Sequence, residues 1–287
     1  MVPDRARRRR RHVPVALFTC VVLISLCVPA AFAAEKSKPK RMTPGGKWEA
    51  GSMERPRPMV ITPPTPATLE EAGRPPSDAI VLFDGSGFDE WEMYAKRAKP
   101  PQAIEPAWKL TDGFMEVVAR TGDLHSKRDF GDCQIHVEWA TPAEVKGASQ
   151  GRGNSGVLLL GQCEIQVLDS FENDTYPDGQ TGALYGKYPP LVNVCRKPGE
   201  WQTYDIVFFA PRFEGEEMTR PASLTVLHNG VVIHHAANPG GRAERIRLGL
   251  QDHNNPVRYR NVWVRELRDY DYVAGASDNV ATEEDQP

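Results

Sequence analysis

The segment that decides the fold is Cys133-Gln134-Ile135-His136-Val137-Glu138-Trp139, in which apolar and polar side chains alternate. Successive side chains of a β-strand point to opposite faces of its sheet, so this period of two predicts a strand with one buried face. Similar segments follow one another between Ser77 and Arg268, with no helical stripe longer than a turn or two. The predicted strands are Ala79–Phe83, Phe114–Val118, Cys133–Trp139, Gly156–Leu160, Glu164–Leu168, Tyr204–Phe209, Ser223–His228, Val231–His235, Arg245–Gln251 and Val257–Leu267.

The turns between these strands favour antiparallel pairing. Asn229-Gly230 is the clearest hairpin signal, because both residues accept the positive φ of a type I′ turn. Many strands with long loops predict an all-β domain over residues 77–268, an antiparallel jelly-roll sandwich. A closed barrel is the competing topology, because periodicity alone does not distinguish the two.

The two ends of the chain differ in composition from this domain. An arginine run, an apolar stretch and Ala31-Phe32-Ala33 predict a signal peptide over residues 1–33, hence an exported protein of the periplasm or the medium. The apolar stretch is shorter than the roughly 20 residues that span a bilayer, so no stable membrane span is expected after cleavage. An uncleaved anchor is the alternative. Residues 34–76, rich in proline, predict an extended linker, and residues 269–287 an acidic C-terminal tail.

Charge and cysteine content exclude other classes of protein. The chain has 35 Lys and Arg against 38 Asp and Glu, and cleavage after residue 33 leaves 29 against 37. This acidic balance argues against a nucleic-acid partner. Only Cys133, Cys163 and Cys195 remain, which is too few for a disulfide scaffold. At most one disulfide can form, and buried free thiols are the alternative. The sequence has no H-E-x-x-H motif, the pattern typical of zinc-dependent proteases.

Three polar clusters lie at strand ends. The first is Arg152-Gly153-Asn154-Ser155-Gly156, whose side chains can hold hydroxyl or carbonyl oxygens, although an ordinary Asn-Ser turn has the same pattern. The second, Glu164-Ile165-Gln166-Val167-Leu168-Asp169, places Glu164 and Gln166 on one strand face, and a one-residue bulge would bring Asp169 to that face. The third is Gln251-Asp252-His253 with Arg258-Tyr259-Arg260, where histidine and arginine suit acid–base and anion-stabilising roles.

Two further residues have a weaker signal. His125 and Lys127 are predicted to lie in a polar loop before a strand, from which they could reach a cleft. A surface ion pair is the favoured interpretation of Arg258.

The clusters and the strands around them resemble the 3-keto-disaccharide hydrolase family over essentially all of residues 77–268. The segments that carry the resemblance are Ser77–Gly85, Asp132–Glu138, Gly151–Val157, Tyr185–Asn193, Trp201–Phe209, Asn229-Gly230 and Leu250–Arg265. The resemblance implies a sandwich of the concanavalin-A-like lectin/glucanase type. Sandwich glucanases carry E-x-D-x-x-E on a strand; here Gln166 replaces the middle acid and Asp169 the last, which puts ordinary retaining hydrolysis in doubt.

The resemblance also implies a carbohydrate substrate and a particular chemistry. A ketone at sugar carbon 3 acidifies the hydrogen at carbon 2; a base removes it, the aglycone leaves carbon 1, and water adds back. The implied roles are Glu164 or Asp169 as base, His253 as acid, and Arg260, Arg152 or Lys127 at the enolate. The residues expected to hold sugar hydroxyls are Glu138, Asn154, Gln166, Tyr185 and Gln251. A divalent metal held by the carboxylates is an alternative electrophile, and no other cofactor is implied.

Two other functions fit the same domain. A non-catalytic, lectin-like module would bind glycans without turnover, and a conventional glucanase would cleave an unmodified β-glucan. The enzyme acting on 3-keto-glycosides is the preferred hypothesis. It requires the polar side chains of separate strands to meet in one groove of the sandwich.

Overall fold

The computed structural model describes residues 41–44, 46–95, 100–268 and 270. The chain divides into two compact units, residues 1–54 and residues 55–287. In the first unit, the described residues form a short turn in which Met42 pairs with Glu49. The second unit contains the β-structure. The predicted signal peptide and nearly all of the predicted C-terminal tail lie outside the described residues.

The strands follow one another along residues 80–266. They are β1 (Ile80–Phe83), β2 (Trp91–Tyr94), β3 (Ala103–Ile104), β4 (Lys109–Thr111), β5 (Phe114–Glu116), β6 (Leu124–Phe130), β7 (Cys133–Ala140), β8 (Ser155–Leu159), β9 (Cys163–Val167), β10 (Gln202–Phe209), β11 (Arg212–Glu214), β12 (Glu217–Arg220), β13 (Ser223–His228), β14 (Val231–Ala237), β15 (Ile246–Leu250) and β16 (Arg258–Glu266). Two single 3₁₀ turns, Ser149–Gly151 and Pro177–Gly179, lie in the loops. Within the described residues no helix is long and apolar enough to cross a membrane.

Two antiparallel sheets carry the fold. One has eight strands in the order β14-β13-β10-β7-β16-β5-β4, with β1 also paired to β16. The other has six, in the order β3-β2-β6-β15-β8-β9, and β11 and β12 form a separate hairpin. The predicted all-β antiparallel sandwich is therefore confirmed, and the closed barrel is not formed. Each predicted strand coincides with an observed one to within two residues at either end.

The core lies between the sheets and follows from the alternation in β7. Ile135, Val137 and Trp139 are fully buried on its inner face, where Trp139 stacks near Tyr204. Trp91 of the six-stranded sheet is also fully buried, and its indole nitrogen donates to the Leu82 carbonyl at 2.7 Å. Burying each of these side chains contributes about 1.5–3 kcal/mol. The apolar side chains of each strand therefore turn toward the core, and the alternating polar side chains point away from it, where a functional site can form.

The prediction that His125 and Lys127 lie in a polar loop is wrong, because both belong to β6 in the middle of the six-stranded sheet. Leu124 and Ser126 point inward and are fully buried, whereas His125 and Lys127 point outward. The Ser126 hydroxyl donates to the Arg128 carbonyl at 2.7 Å and accepts from the Leu248 amide at 3.0 Å. These hydrogen bonds allow a polar residue to occupy an inward position that ordinarily requires an apolar one.

Part of the segment predicted as a linker is attached to the eight-stranded sheet. Thr65 pairs with Arg74 in an isolated bridge. The Gly73 amide donates to the Glu138 carboxylate at 2.8 Å. Residues 65–74 therefore cover the outer face of β7 and β16.

Candidate active site on the six-stranded sheet

A row of side chains crosses the outer face of the six-stranded sheet. Strand register aligns Glu92 with His125, His125 with Gly249, Gly249 with Leu158, and Leu158 with Glu164. Adjacent strands are about 4.8 Å apart, so the titratable groups His125 and Glu164 lie roughly three strand spacings from each other. Gly249 and Leu158 lie between them, and the Leu158 side chain covers the glycine, since a Cβ atom at Gly249 would lie only 3.0 Å from Leu158 Cβ.

Glu164 has the electrostatics of a general base. Burial, and to a smaller extent the nearby charge of Asp123, raises the pKa of its carboxyl to about 7. Asp123 is held in place because its Oδ1 accepts from the Asp252 amide at 2.8 Å. A carboxyl with a pKa near neutrality can gain and lose a proton at working pH, which is what acid–base catalysis needs.

Two neighbours fix the position of the Glu164 carboxylate. Gly156 lies on the adjacent strand, and a Cβ atom there would overlap Glu164 Oε1. Gln166 is 1% exposed and lies between Glu164 and Gln150. In one amide orientation it donates to Glu164 Oε1 at 3.1 Å and to the Ser155 carbonyl at 2.9 Å; in the other it donates to Gln150 Oε1 at 3.0 Å. The first orientation favours a negatively charged Glu164 and the second leaves the carboxylate without that donor.

A cationic cluster lies at the other end of the row. Arg247 donates to Glu92 Oε1 at 2.5 Å, to the Tyr94 hydroxyl at 2.5 Å and to the Ser126 carbonyl at 2.5 Å. His125 packs against Tyr94 with ring centroids 5.3 Å apart. Burial lowers the pKa of His125, and the positive charge of Arg247 lowers it further. A neutral imidazole at this point can accept a proton, and its two ring nitrogens can donate and accept hydrogen bonds.

Tyr185 flanks the row beside β9. Its amide donates to the Glu164 carbonyl at 3.1 Å, and its hydroxyl forms a 2.6 Å hydrogen bond with that of Tyr176. This bond, more than burial, raises the pKa of Tyr176 to about 12, with a small contribution from the Glu164 charge. Both rings are more than two-fifths exposed. The pair therefore presents aromatic and hydroxyl groups to solvent at the edge of the row, as sugar-binding surfaces do.

Asp169 does not share the surroundings of Glu164. It follows the end of β9, is 2% exposed, and its Oδ2 accepts from Arg152 Nε at 2.5 Å. Arg152 also donates to the carbonyls of Phe171 and Glu172 at 2.8 and 3.2 Å. The two residues thus hold the loop after β9, and the Asp169 carboxylate is occupied by this ion pair.

Arg260 and Glu138 lie on the other sheet, so the prediction that they share a groove with Glu164 is wrong. Arg260 Nε donates to Glu138 Oε2 at 2.6 Å, and the pair is buried. The remaining guanidinium donors reach the carbonyls of Thr68, Glu70 and Glu71 at 2.9, 3.0 and 2.9 Å. These contacts attach residues 65–74 to β7 and β16. Alternation in β7 and β16 gave no indication of this role, because it depends on a segment distant in sequence.

The other predicted residues occupy different positions around the row. Gln251 follows β15, where its amide donates to the Gly156 carbonyl at 3.0 Å, and its side-chain oxygen is buried without a partner in the described residues. Asn154 is buried and donates to the Gln150 carbonyl at 2.7 Å. Lys127 lies outward on β6 and donates to the Asp89 carbonyl at 2.8 Å. His253 is exposed in the loop between β15 and β16.

Neither a metal cluster nor a disulfide occurs in the part of the chain that the structure describes. No three His, Cys, Asp or Glu side chains are grouped there as metal ligands would be. Cys133, Cys163 and Cys195 are free thiols, and burial raises the pKa of Cys133 and of Cys163 to about 12. Such thiols remain protonated at neutral pH and behave as small apolar side chains.

Fold and site together define a class: an antiparallel β-sandwich enzyme with a desolvated carboxylate on the outer face of one sheet. Comparison with known proteins narrows the class. The model of a family described as 3-keto-alpha-glucoside-1,2-lyase-like domain matches residues 78–265, so the chain belongs to the 3-keto-disaccharide hydrolase family. Enzymes of this family act on glycosidic bonds.

Individual relatives agree with this assignment. A 3-keto-disaccharide hydrolase of Bacteroides thetaiotaomicron is 23% identical over 242 residues, which cover 66% of this chain and 78% of the relative. A crystal structure of a glycosyl hydrolase candidate from Parabacteroides distasonis is 37% identical, with a TM-score of 0.68, and the match covers 79% of this chain and all of the other. A second structure from that organism, 19% identical with a TM-score of 0.52, shares the fold.

Proposed function

We propose that this protein cleaves the glycosidic bond of 3-keto-glycosides, such as 3-keto-disaccharides, by elimination and rehydration. The observation that carries the proposal is the Glu164 carboxyl, with a pKa near 7, on the outer face of the six-stranded sheet and directly against Gly156. The relative from Bacteroides and the description of the matching family support the substrate class.

In the proposed reaction, Glu164 removes the proton from carbon 2, which is acidic because it adjoins the ketone at carbon 3. The electron pair of that C–H bond forms an enolate, which then expels the aglycone oxygen from carbon 1 and leaves a double bond between carbons 1 and 2. The leaving oxygen needs a proton, and we propose that Glu164 delivers to it the proton that it has taken from carbon 2. Water then adds across the double bond, and the net result is hydrolysis to a 3-keto sugar.

The residues around Glu164 favour this route over direct glycoside hydrolysis. A conventional hydrolase uses two carboxyl groups on opposite sides of the bond. In the E-x-Q-x-x-D segment the middle position is an amide, and Asp169 is engaged by Arg152 at 2.5 Å. Elimination needs only one base of moderate pKa together with stabilisation of the enolate. Lys127, which lies on the same face and donates to the Asp89 carbonyl, is the cation that we propose for stabilising the enolate.

The test compares a 3-keto-glucoside carrying a chromogenic aglycone with its unoxidised parent. We expect release of the aglycone from the keto substrate alone, and deuterium at carbon 2 of the product when the reaction runs in D₂O. Glu164→Gln should lose about 10²–10⁴-fold in kcat, whereas Glu214→Gln, the same change at an exposed strand position, should not. Equal cleavage of the parent, or product without deuterium at carbon 2, would contradict the proposal.

A further inference from the structure

The eight-stranded sheet carries a pocket of about 470 Å³ on the face opposite to the core. Its walls are β7, β10 and β16 on one side and residues 64–74 on the other. This volume falls within the range of small-ligand sites, about 300–1,000 Å³. The pocket shares no lining residue with the row that contains Glu164.

The charges in this pocket do not balance. Its charged lining residues are Arg74, Arg196, His136 and Asp205. His136 Nδ1 lies 2.7 Å from Asp205 Oδ1, so these two groups neutralise each other. Arg74 is exposed and forms no ion pair with any residue that the structure describes. Arg196 donates one N–H to the Trp201 carbonyl at 2.7 Å and keeps its charge without a carboxylate partner among the described residues.

Other polar side chains that line this pocket can form hydrogen bonds with the hydroxyl groups of a ligand. Asp205 engages His136 through Oδ1, and its side chain is 34% exposed, so its second oxygen can accept from a ligand. Thr203 and Gln134 line the same pocket. His136 is 8% exposed and stacks on Trp263 with centroids 5.1 Å apart, and its Nε2 lies 3.5 Å from the Glu138 carboxylate. Two unbalanced guanidinium groups beside hydroxyl-binding groups suit a hydroxylated anion.

We propose that this pocket is a second ligand site, which binds a monosaccharide that carries a carboxylate or phosphate group. The anionic group lies against Arg74 and Arg196, and the sugar hydroxyls reach Asp205 and Thr203. The site does not depend on the reaction at Glu164, because it lies on the other sheet.

Isothermal titration calorimetry on the full-length chain tests the proposal with D-glucuronate, D-glucose 6-phosphate and D-glucose as probes. We expect saturable binding of at least one anionic sugar and none of glucose; the preferred anion identifies the group. Arg74→Gln should weaken binding at least about tenfold, the effect of one charge-assisted hydrogen bond. Arg128→Gln, at an exposed arginine of β6, is the matched control and should bind as the unchanged chain does.

Glu164→Gln, titrated in parallel, should retain the binding while losing activity, which separates this site from the proposed catalytic one. The proposal is overturned if neither anion binds at millimolar concentration, if glucose binds equally, if Arg74→Gln has no effect, or if Glu164→Gln abolishes binding.

Discussion

Replacing Glu164 with glutamine should stabilise the fold, and more so as the pH rises. The carboxyl is held where burial raises its pKa from 4.5 to about 7, so its charged form is disfavoured in the folded state relative to the unfolded chain. A carboxyl whose pKa is higher in the folded state than in the unfolded chain contributes to the stability of the fold while it is protonated. This contribution is complete below the pKa of the unfolded chain and is lost as the pH rises through the pKa of the folded state. Glutamine has no charge to desolvate and escapes this loss.

The magnitude follows from the size of the shift. One pKa unit corresponds to 1.36 kcal/mol, so the full shift corresponds to about 3 kcal/mol. Because the side chain is only partly buried and water screens it, about 1–2 kcal/mol is expected above pH 8. For a domain of this size, about 2–4 °C of melting temperature corresponds to each kcal/mol. We therefore expect Glu164→Gln to melt roughly 3–6 °C higher at pH 8.5, and nearly as the unchanged chain does at pH 4.5.

Thermal unfolding followed by circular dichroism at both pH values measures this difference. Glu214→Gln, at an exposed position, controls for the loss of one negative charge. A Glu164→Gln variant that is less stable at pH 8.5, or that gains equally at both pH values, would refute the assignment of a desolvated carboxyl.

Three other predictions concern different parts of the chain. Gly156→Ala should reduce kcat at least about tenfold, since the added methyl group displaces the Glu164 carboxylate. Gly87→Ala, at a position open to solvent, is the control and should leave kcat unchanged. A fully active Gly156→Ala variant would contradict the claim that Gly156 sets the position of the carboxylate. Arg260→Met should destabilise the domain by about 3–5 kcal/mol, because it removes the guanidinium that pairs with the buried Glu138 carboxylate at 2.6 Å, yet kcat of the folded fraction should be unchanged. Denaturant unfolding and kinetics measure both, and lost turnover in the folded state would show that Arg260 belongs to the active site. Mass spectrometry of the protein exported by its native host should find the N-terminus directly after residue 33, and an intact leader would contradict the predicted signal peptide.

The sequence predicts the sheets well because alternation reports which face is buried. It misses the short strands β2, β3, β4, β11 and β12. It also fails at β6, where Ser126 takes an inward position and charged residues follow it, so the period of two is hidden. This failure matters for function, since His125 becomes part of the candidate site only once β6 is known to be a strand. The available signal was the pair Leu124 and Phe130, which bound the segment and are both buried.

Placement of polar residues across the fold was harder to predict than the strands themselves. Glu164 and Gln166 share a face as the period of two predicts, because both lie on one strand. Arg260 and Glu138 have equally suggestive residue types, but strand order places them on the opposite sheet. Residue type and local periodicity do not determine the order of the strands in a sheet, because that order depends on pairing between distant segments such as β7 and β16.

The most direct test of the central claim is the pH dependence of kcat/KM for a 3-keto-glucoside, measured with hydrogen and with deuterium at carbon 2. If Glu164 is the base, kcat/KM rises with pH through a pKa near 7. The deuterated substrate then reacts more slowly wherever proton removal limits the rate. A flat profile between pH 5 and 9 together with equal rates for both substrates would contradict the assignment of Glu164 as the group that removes the proton.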